Sequence, residues 1–279
     1  MLIYEILKVI ILGLVEGVTE WLPISSTGHM ILLDEFIKLD VSEEFMSMFL
    51  VVIQLGAICA VPVLFWERLN PLSKKKNTFE RKSILRVWGK VIVGTLPAAV
   101  LGFVLDDLLD RYFYNYIVVA LALIIYGIVF IFAEKNKAEE KNNIKSIDEL
   151  TYTDALKIGA FQSLSLVPGT SRSGSTILGG MLIGASREAS AEFSFFMAIP
   201  IMLGASLLKI LKFVISGVTF AMDEALFLLV GIIVSFVVSL IAISFFMDFV
   251  KSHSFKIFGY YRIILGAVVL IYFFLKRML

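Results

Sequence analysis

The sequence predicts an all-α polytopic membrane protein. It has six transmembrane helices plus two re-entrant helix-loop-helix segments, in an inverted-topology repeat. Three observations predict this. Of 279 residues, 59% are hydrophobic and only 18% charged, with a mean hydropathy of +0.91; so apolar a chain needs a bilayer as its solvent. Continuous apolar runs at about 45–66, 91–105, 113–133, 193–211, 225–247 and 258–275 read as six crossings. Two further apolar segments, 1–33 and 155–185, are interrupted by proline, glycine and hydroxyl residues. Interrupted backbone is tolerated at membrane depth only where it is buried in protein or lines a cavity.

The first interruption runs Glu16-Gly17-Val18-Thr19-Glu20-Trp21-Leu22-Pro23-Ile24-Ser25-Ser26-Thr27-Gly28-His29. Glu16 and Glu20 are four apart, so a helix puts both on one face. Pro23 ends that helix, and Ser25 or Ser26 can cap the next. Each half is shorter than the roughly 20 residues a crossing needs. A helix broken in a membrane turns free N–H groups and a positive dipole end toward the break, which suits an anion.

Residues 34–44 are polar and precede the first crossing. The loop after it holds Arg68, Lys74, Lys75, Lys76, Arg81, Lys82, Arg86 and Lys90, and the 134–154 loop with its flank holds Lys135, Lys137, Lys141, Lys145 and Lys157. Basic loops stay cytoplasmic. The link at 106–112, with three Asp against Arg111, is then outside, and so are both termini. The second interruption is centred on Pro168–Gly174.

The halves, about 1–133 and 155–279, repeat within a single membrane domain. Gly13-Leu14-Val15-Glu16 matches Gly159-Ala160-Phe161-Gln162, Pro23–Gly28 matches Pro168–Gly174 with one residue added, and Leu55-Gly56-Ala57 matches Leu203-Gly204-Ala205. Each copy is a hairpin followed by three crossings, an odd number, so the second copy is inverted. Such repeats place a site near the midplane, where the copies meet. In this alignment Thr27 stands opposite Arg172.

Net charge is +1, so no nucleic-acid partner is implied. The single Cys59 excludes an intrachain disulfide and a thiol metal cluster, and two histidines are too few for a His-rich metal site. The N-terminus lacks a signal-peptide pattern and reads as mature sequence.

Ionisable groups at membrane depth are costly and mark sites. Arg172, among Gly169, Thr170, Ser171, Ser173, Gly174, Ser175 and Thr176, offers a planar fork for phosphate oxygens. The bland alternative is that Arg172 only neutralises the two glutamates. Glu16 and Glu20 suit a hard divalent cation beside a diphosphate, since Mg²⁺ takes one or two carboxylates plus phosphate oxygens; they could otherwise be a structural pair. His29 lies three residues after Ser26 and four after Ser25, a nucleophile–base spacing on a helix. The run Asp106-Asp107-Leu108-Leu109-Asp110 resembles the aspartate-rich box of prenyl synthases, but it lacks a second box and reads as a solvated turn. The type-2 phosphatidic acid phosphatase pattern fails, because Leu178 stands where its second histidine belongs.

Glu16-x-x-x-Glu20, the Pro23–His29 run and Pro168-Gly169-Thr170-Ser171-Arg172-Ser173-Gly174 together resemble the undecaprenyl-diphosphate phosphatase, or bacitracin-resistance, family. The likeness covers nearly the whole chain, including Val52-Ile53-Gln54-Leu55-Gly56 and Glu192-Phe193-Ser194-Phe195. It implies a multi-pass protein of the bacterial plasma membrane; the count of basic residues in the loops puts the opening of the site on the extracytoplasmic side. The implied reaction hydrolyses a C55 isoprenyl diphosphate to the lipid monophosphate and inorganic phosphate, with Mg²⁺ or Ca²⁺. Glu16, Glu20, Ser26, His29 and Arg172 are the implied catalytic residues, with Glu16 and Glu20 at the metal. Ser171, Ser173 and Thr176 are the implied phosphate contacts, and Ser25, Thr27, Gly28 and Gly174 are expected to join them in binding the substrate. Expected partners are the isoprenyl lipid and bilayer lipid, with a homodimer left open. Three choices stay open: His29 or Glu20 as base, serine or water as nucleophile, and a lipid-phosphate flippase as the alternative function.

Overall fold

The computed structural model describes residues 2–113, 115–137, 143–217 and 221–278, and no β-strand occurs among them. Lys141 lies outside the described residues, as do the side chains of Asp106, Asp107, Asp110, Lys135 and Lys137. Among the described residues eleven α-helices follow one another: α1 Leu2–Thr19, α2 Ser26–Phe36, α3 Glu43–Leu64, α4 Trp66–Leu69, α5 Thr78–Phe113, α6 Tyr116–Lys137, α7 Tyr152–Ser163, α8 Arg172–Leu182, α9 Arg187–Ile215, α10 Met222–Ser252 and α11 Lys256–Met278.

Six of these, α3, α5, α6, α9, α10 and α11, are long and apolar enough to cross a membrane. They match the six expected runs; most extend beyond them, while α3 ends at Leu64 rather than 66 and α6 begins at Tyr116 rather than 113. α5 begins at Thr78 rather than near 91, because Arg81, Lys82, Arg86 and Lys90 are good helix formers that need no apolar surroundings. It also runs on to Phe113, so 106–112 is helix and not the expected link.

Both interruptions are present. α1 stops at Thr19, four residues before Pro23, although the Glu20 amide still donates to Glu16 O (3.0 Å) and keeps both glutamates on one turn. α7 ends at Ser163 in a short 3-10 turn, Leu164–Leu166. Gly169, at φ +91°, then bends against the Val119 backbone, which leaves no room for a Cβ (2.5 Å from Val119 O).

Contacts sort the loops to two ends. Arg68, after α3, pairs with Asp148 (3.2 Å), and Lys90 donates to the Ile147 and Asp148 carbonyls (3.1 and 2.8 Å). The two basic loops therefore share one end. At the other end Lys8 reaches Lys38 O (2.5 Å), Lys276 pairs with Glu35, and Tyr116 stacks on Phe273 (4.6 Å). The first turns of α1, the end of α2, the start of α6 and the last turns of α11 lie there.

Close packing between long helices uses glycine where backbones touch. A Cβ on Gly56 would sit 2.1 Å from Ile232 O, so α3 and α10 meet backbone to backbone. The larger core cluster, with Trp21, Phe130, Phe193, Phe195, Phe196, Phe246 and Phe255 fully buried, lies between the two interruptions and the basic-loop end.

Candidate active site

The two breaks are built alike. Ser25 and Ser171 cap α2 and α8, each accepting a hydrogen bond from the amide three residues on: Gly28 N at 3.3 Å and Gly174 N at 3.0 Å. They are also the two non-glycine residues at positive φ among those described, at 71° and 72°. That conformation costs on the order of 1–3 kcal/mol at each position and persists only where its surroundings enforce it. The caps set the register: Ser26 and Arg172 are the first residues of α2 and α8. Ser26 thus stands opposite Arg172, and the expected Thr27–Arg172 correspondence is corrected by one residue.

Three links hold the breaks together. Arg172 Nη2 donates to Glu20 Oε1 (2.9 Å) in an ion pair with both side chains about nine-tenths buried. The Ser173 hydroxyl lies within reach of the Glu20 and Leu22 carbonyls (3.0 and 3.1 Å). Arg262, on α11 and fully buried, donates to Pro23 O (3.1 Å), Gly169 O (2.9 Å) and Thr170 O (2.8 Å).

A cavity of about 170 Å³ lies between the breaks. Glu20, Ser25, Ser26 and Thr27 line it from one break, and Ser165, Gly169, Ser171 and Arg172 from the other. Gln54 on α3 and Ile201, Met202 and Ala205 on α9 close it. It is smaller than the 300–1,000 Å³ of a typical ligand pocket, so it fits a headgroup and not a lipid tail. A larger apolar crevice of about 700 Å³ lies between the start of α6 and the end of α11; with almost no polar lining it carries no chemistry.

Ser26 Oγ donates to Glu20 Oε2 at 2.9 Å. This is a hydroxyl and a base in contact, the pairing that activates a serine. His29 lies elsewhere. Its Nδ1 meets Ser25 O (2.8 Å) and its Nε2 meets Tyr261 OH (2.7 Å), with the two rings stacked at 5.6 Å. Helical spacing puts His29 one turn from Ser26, but its ring turns to α11, and the structure does not bring the two together.

Arg172 divides its fork. Nη2 goes to Glu20, while Nη1 donates to Ser194 O (2.9 Å), and the guanidinium lies over the Trp21 ring at 5.6 Å. Thr176 is fully buried and bonds Ser194 Oγ (2.6 Å), so it braces α8 against α9 rather than facing the cavity. Gly28 and Gly174 spend their amides on the caps. Of the expected substrate contacts, Ser25, Thr27 and Ser171 line the cavity, while Ser173 ties the breaks.

Glu16 and Glu20 are the two carboxylates available to a divalent cation, although Glu16 does not line the cavity and both Glu20 oxygens accept hydrogen bonds, from Ser26 and Arg172. Glu16 is buried and its Oε1 has no hydrogen-bond partner, one turn from the Glu20 carboxylate that faces the cavity. Two carboxylates leave the remaining positions to phosphate oxygens and water, as Mg²⁺ prefers. Among the described residues no cluster of three or more His, Cys, Asp or Glu gathers.

Gln54, Ser165 and Arg262 carry no expected role in the sequence. Gln54 and Ser194 stand inside the family motifs, and their spacing shows nothing of the helices that carry them to the breaks. Arg262, an ionisable residue within an apolar run, is the available signal.

This arrangement defines the class: a membrane protein with an anion-sized polar cavity between two interrupted helix pairs. The profile of the family described as "Bacitracin resistance protein BacA" matches residues 9–268, and the chain belongs to that family. It is 56% identical to a protein of Enterococcus faecalis named "Undecaprenyl-diphosphatase", over 98% of this chain and 99% of that one. It is 57% identical to "Undecaprenyl-diphosphatase 1" of Clostridioides difficile, over 97% of both, and 55% identical to a protein of Acetivibrio thermocellus named "Undecaprenyl-diphosphatase", over 98% and 99%.

Proposed function

We propose that the protein is an integral membrane phosphatase that hydrolyses undecaprenyl diphosphate to undecaprenyl phosphate and inorganic phosphate. It thereby recycles the lipid carrier of peptidoglycan synthesis and confers bacitracin resistance. The observation that carries this reading is the Ser26–Glu20 hydrogen bond at the wall of a cavity that also presents Arg172. The full-length relatives named for this activity support it.

The diphosphate occupies the cavity and the isoprenyl tail stays in the bilayer. Ser26 Oγ attacks the terminal phosphorus as Glu20 takes its proton. The bond to the bridging oxygen breaks, and undecaprenyl phosphate leaves. Water then hydrolyses the phosphoserine; attack by a water deprotonated by Glu20 is the rival route. Arg172 and the first amides of α2 and α8 stabilise charge on the phosphoryl oxygens, the main task in phosphoryl transfer. The diphosphate competes with Glu20 for Nη2, so its arrival frees Glu20 to act as base. Glu16 and Glu20 would hold Mg²⁺ or Ca²⁺, which neutralises phosphoryl charge when bound.

Both hairpins are read as re-entrant, within an inverted repeat. The matching positive-φ serine caps and the sorting of loops to two ends support this. With the basic loops cytoplasmic, the cavity opens to the extracytoplasmic side of the bacterial plasma membrane. Every residue invoked comes from one chain, so the reading requires no homodimer.

A lipid-phosphate flippase would use the same architecture, but transport alone leaves the Ser26–Glu20 pair without a task. Phosphate release by purified protein in detergent micelles separates the readings, because no bilayer is there to cross. Release supports hydrolysis; flipping in vesicles without release in micelles overturns it.

A further inference from the structure

We infer that Arg262 is a positioning residue that locks both breaks into register, so that the two serine caps face one cavity. The kinetic part of this inference rests on the diphosphate reading above; the geometric part does not.

Arg262 is fully buried, and the polar groups it meets are three backbone carbonyls rather than a carboxylate. Its guanidinium lies over the Tyr126 ring at 5.6 Å, and its Nη1 runs close enough to Gly174 that an added Cβ would stand 3.2 Å away. A buried cation is costly and is retained only where its hydrogen bonds and field serve something. Pairing with a neighbouring acid is the usual outlet; here Nη1 and Nη2 go instead to both chain breaks, while Nε has no hydrogen-bond partner among the described residues.

The choice of carbonyls is specific. Pro23 and Gly169 each lie two residues ahead of the cap serine in their own break, and Thr170 lies one ahead of Ser171. One planar fork therefore grips the same position in both breaks, and Lys cannot span this with a single ammonium. In a trans peptide the C=O and the following N–H point in opposite directions. Holding Thr170 O thus turns the Ser171 amide away from Arg262. Holding Pro23 O fixes the Pro23–Ile24 peptide, one residue before the bond that leads into Ser25, as holding Gly169 O does before Thr170. Both serines sit at positive φ, which needs such enforcement.

The test uses full-length Arg262→Lys, with Arg262→Gln beside it, purified in detergent. Hydrogen exchange followed by mass spectrometry compares peptides covering 20–28 and 167–175 with α3 and α10 peptides. The expected result is faster exchange at both breaks together, with α3 and α10 unchanged. Per folded enzyme, kcat for an isoprenyl diphosphate falls about 100-fold, the scale of a 1 Å misplacement. Arg262→Lys keeps the buried charge and is the variant expected to fold if Arg262→Gln does not. Wild-type kcat in folded Arg262→Lys, or loosening of one break only or of the whole protein evenly, overturns the inference. Failure of the wild-type protein to release phosphate would count against the phosphatase reading and leave the exchange result to decide the clamp.

Discussion

Glu20 accepts hydrogen bonds from both Ser26 (2.9 Å) and Arg172 (2.9 Å), one on each carboxylate oxygen. Residues at the heads of two helices, 146 positions apart in sequence, therefore meet at one side chain.

Ser26→Ala should lower kcat by more than the roughly 10²–10⁴-fold that general acid–base help alone supplies, while the protein still folds. Ser25→Ala removes a cap and should cost about 1 kcal/mol of stability. Glu20→Gln should be more damaging than His29→Asn, because Glu20 touches Ser26 and His29 does not. Steady-state rates per folded protein check the order. Equal loss from both would mean that His29 reaches the cavity during turnover.

Arg172→Lys keeps the charge but cannot serve Ser194 and Glu20 at once, and a large loss of activity is expected even so. Arg172→Ala leaves Glu20 buried and unpaired, which costs on the order of 3–5 kcal/mol. Arg172→Ala combined with Glu16→Gln, which removes one buried carboxylate and keeps the Glu20 base, should recover thermal stability but no turnover. Robust turnover by that double variant would reduce Arg172 to charge balance.

Chelation should abolish hydrolysis, and Glu16→Gln should raise the Mg²⁺ or Ca²⁺ concentration needed for half-maximal rate. A metal titration of both proteins measures this. Full activity in verified metal-free buffer would leave the carboxylates as acid–base groups alone.

Sidedness is tested with Cys59→Ser as background, since Cys59 is exposed. Lys38→Cys should react with an impermeant thiol reagent in intact cells, and Lys75→Cys only after lysis. The reverse pattern would turn the protein over in the membrane.

The six crossings were legible because burying them needs only length and hydropathy, and both are local properties of the chain. Glu20, Ser26 and Arg172 were legible because charge and hydroxyls inside apolar segments are costly and persist where a site uses them. What was not legible depends on side-chain direction and on long-range contact. His29 has helical spacing to Ser26, yet a tyrosine on α11 takes its ring. The one-residue slip that put Thr27 opposite Arg172 came from matching letters across a gap, where the positive-φ caps fix the pairing physically. Arg262 lies 239 residues from Pro23, and no pattern along the chain ties the two.

The most direct test follows orthophosphate and lipid monophosphate together. Purified wild-type protein and Arg172→Ala, both verified as folded, are given undecaprenyl diphosphate with Mg²⁺ in detergent. The account predicts equimolar release of orthophosphate and undecaprenyl phosphate by wild type, and a rate near background for Arg172→Ala. No release by folded, metal-supplied wild type, or equal release by both proteins, would contradict it.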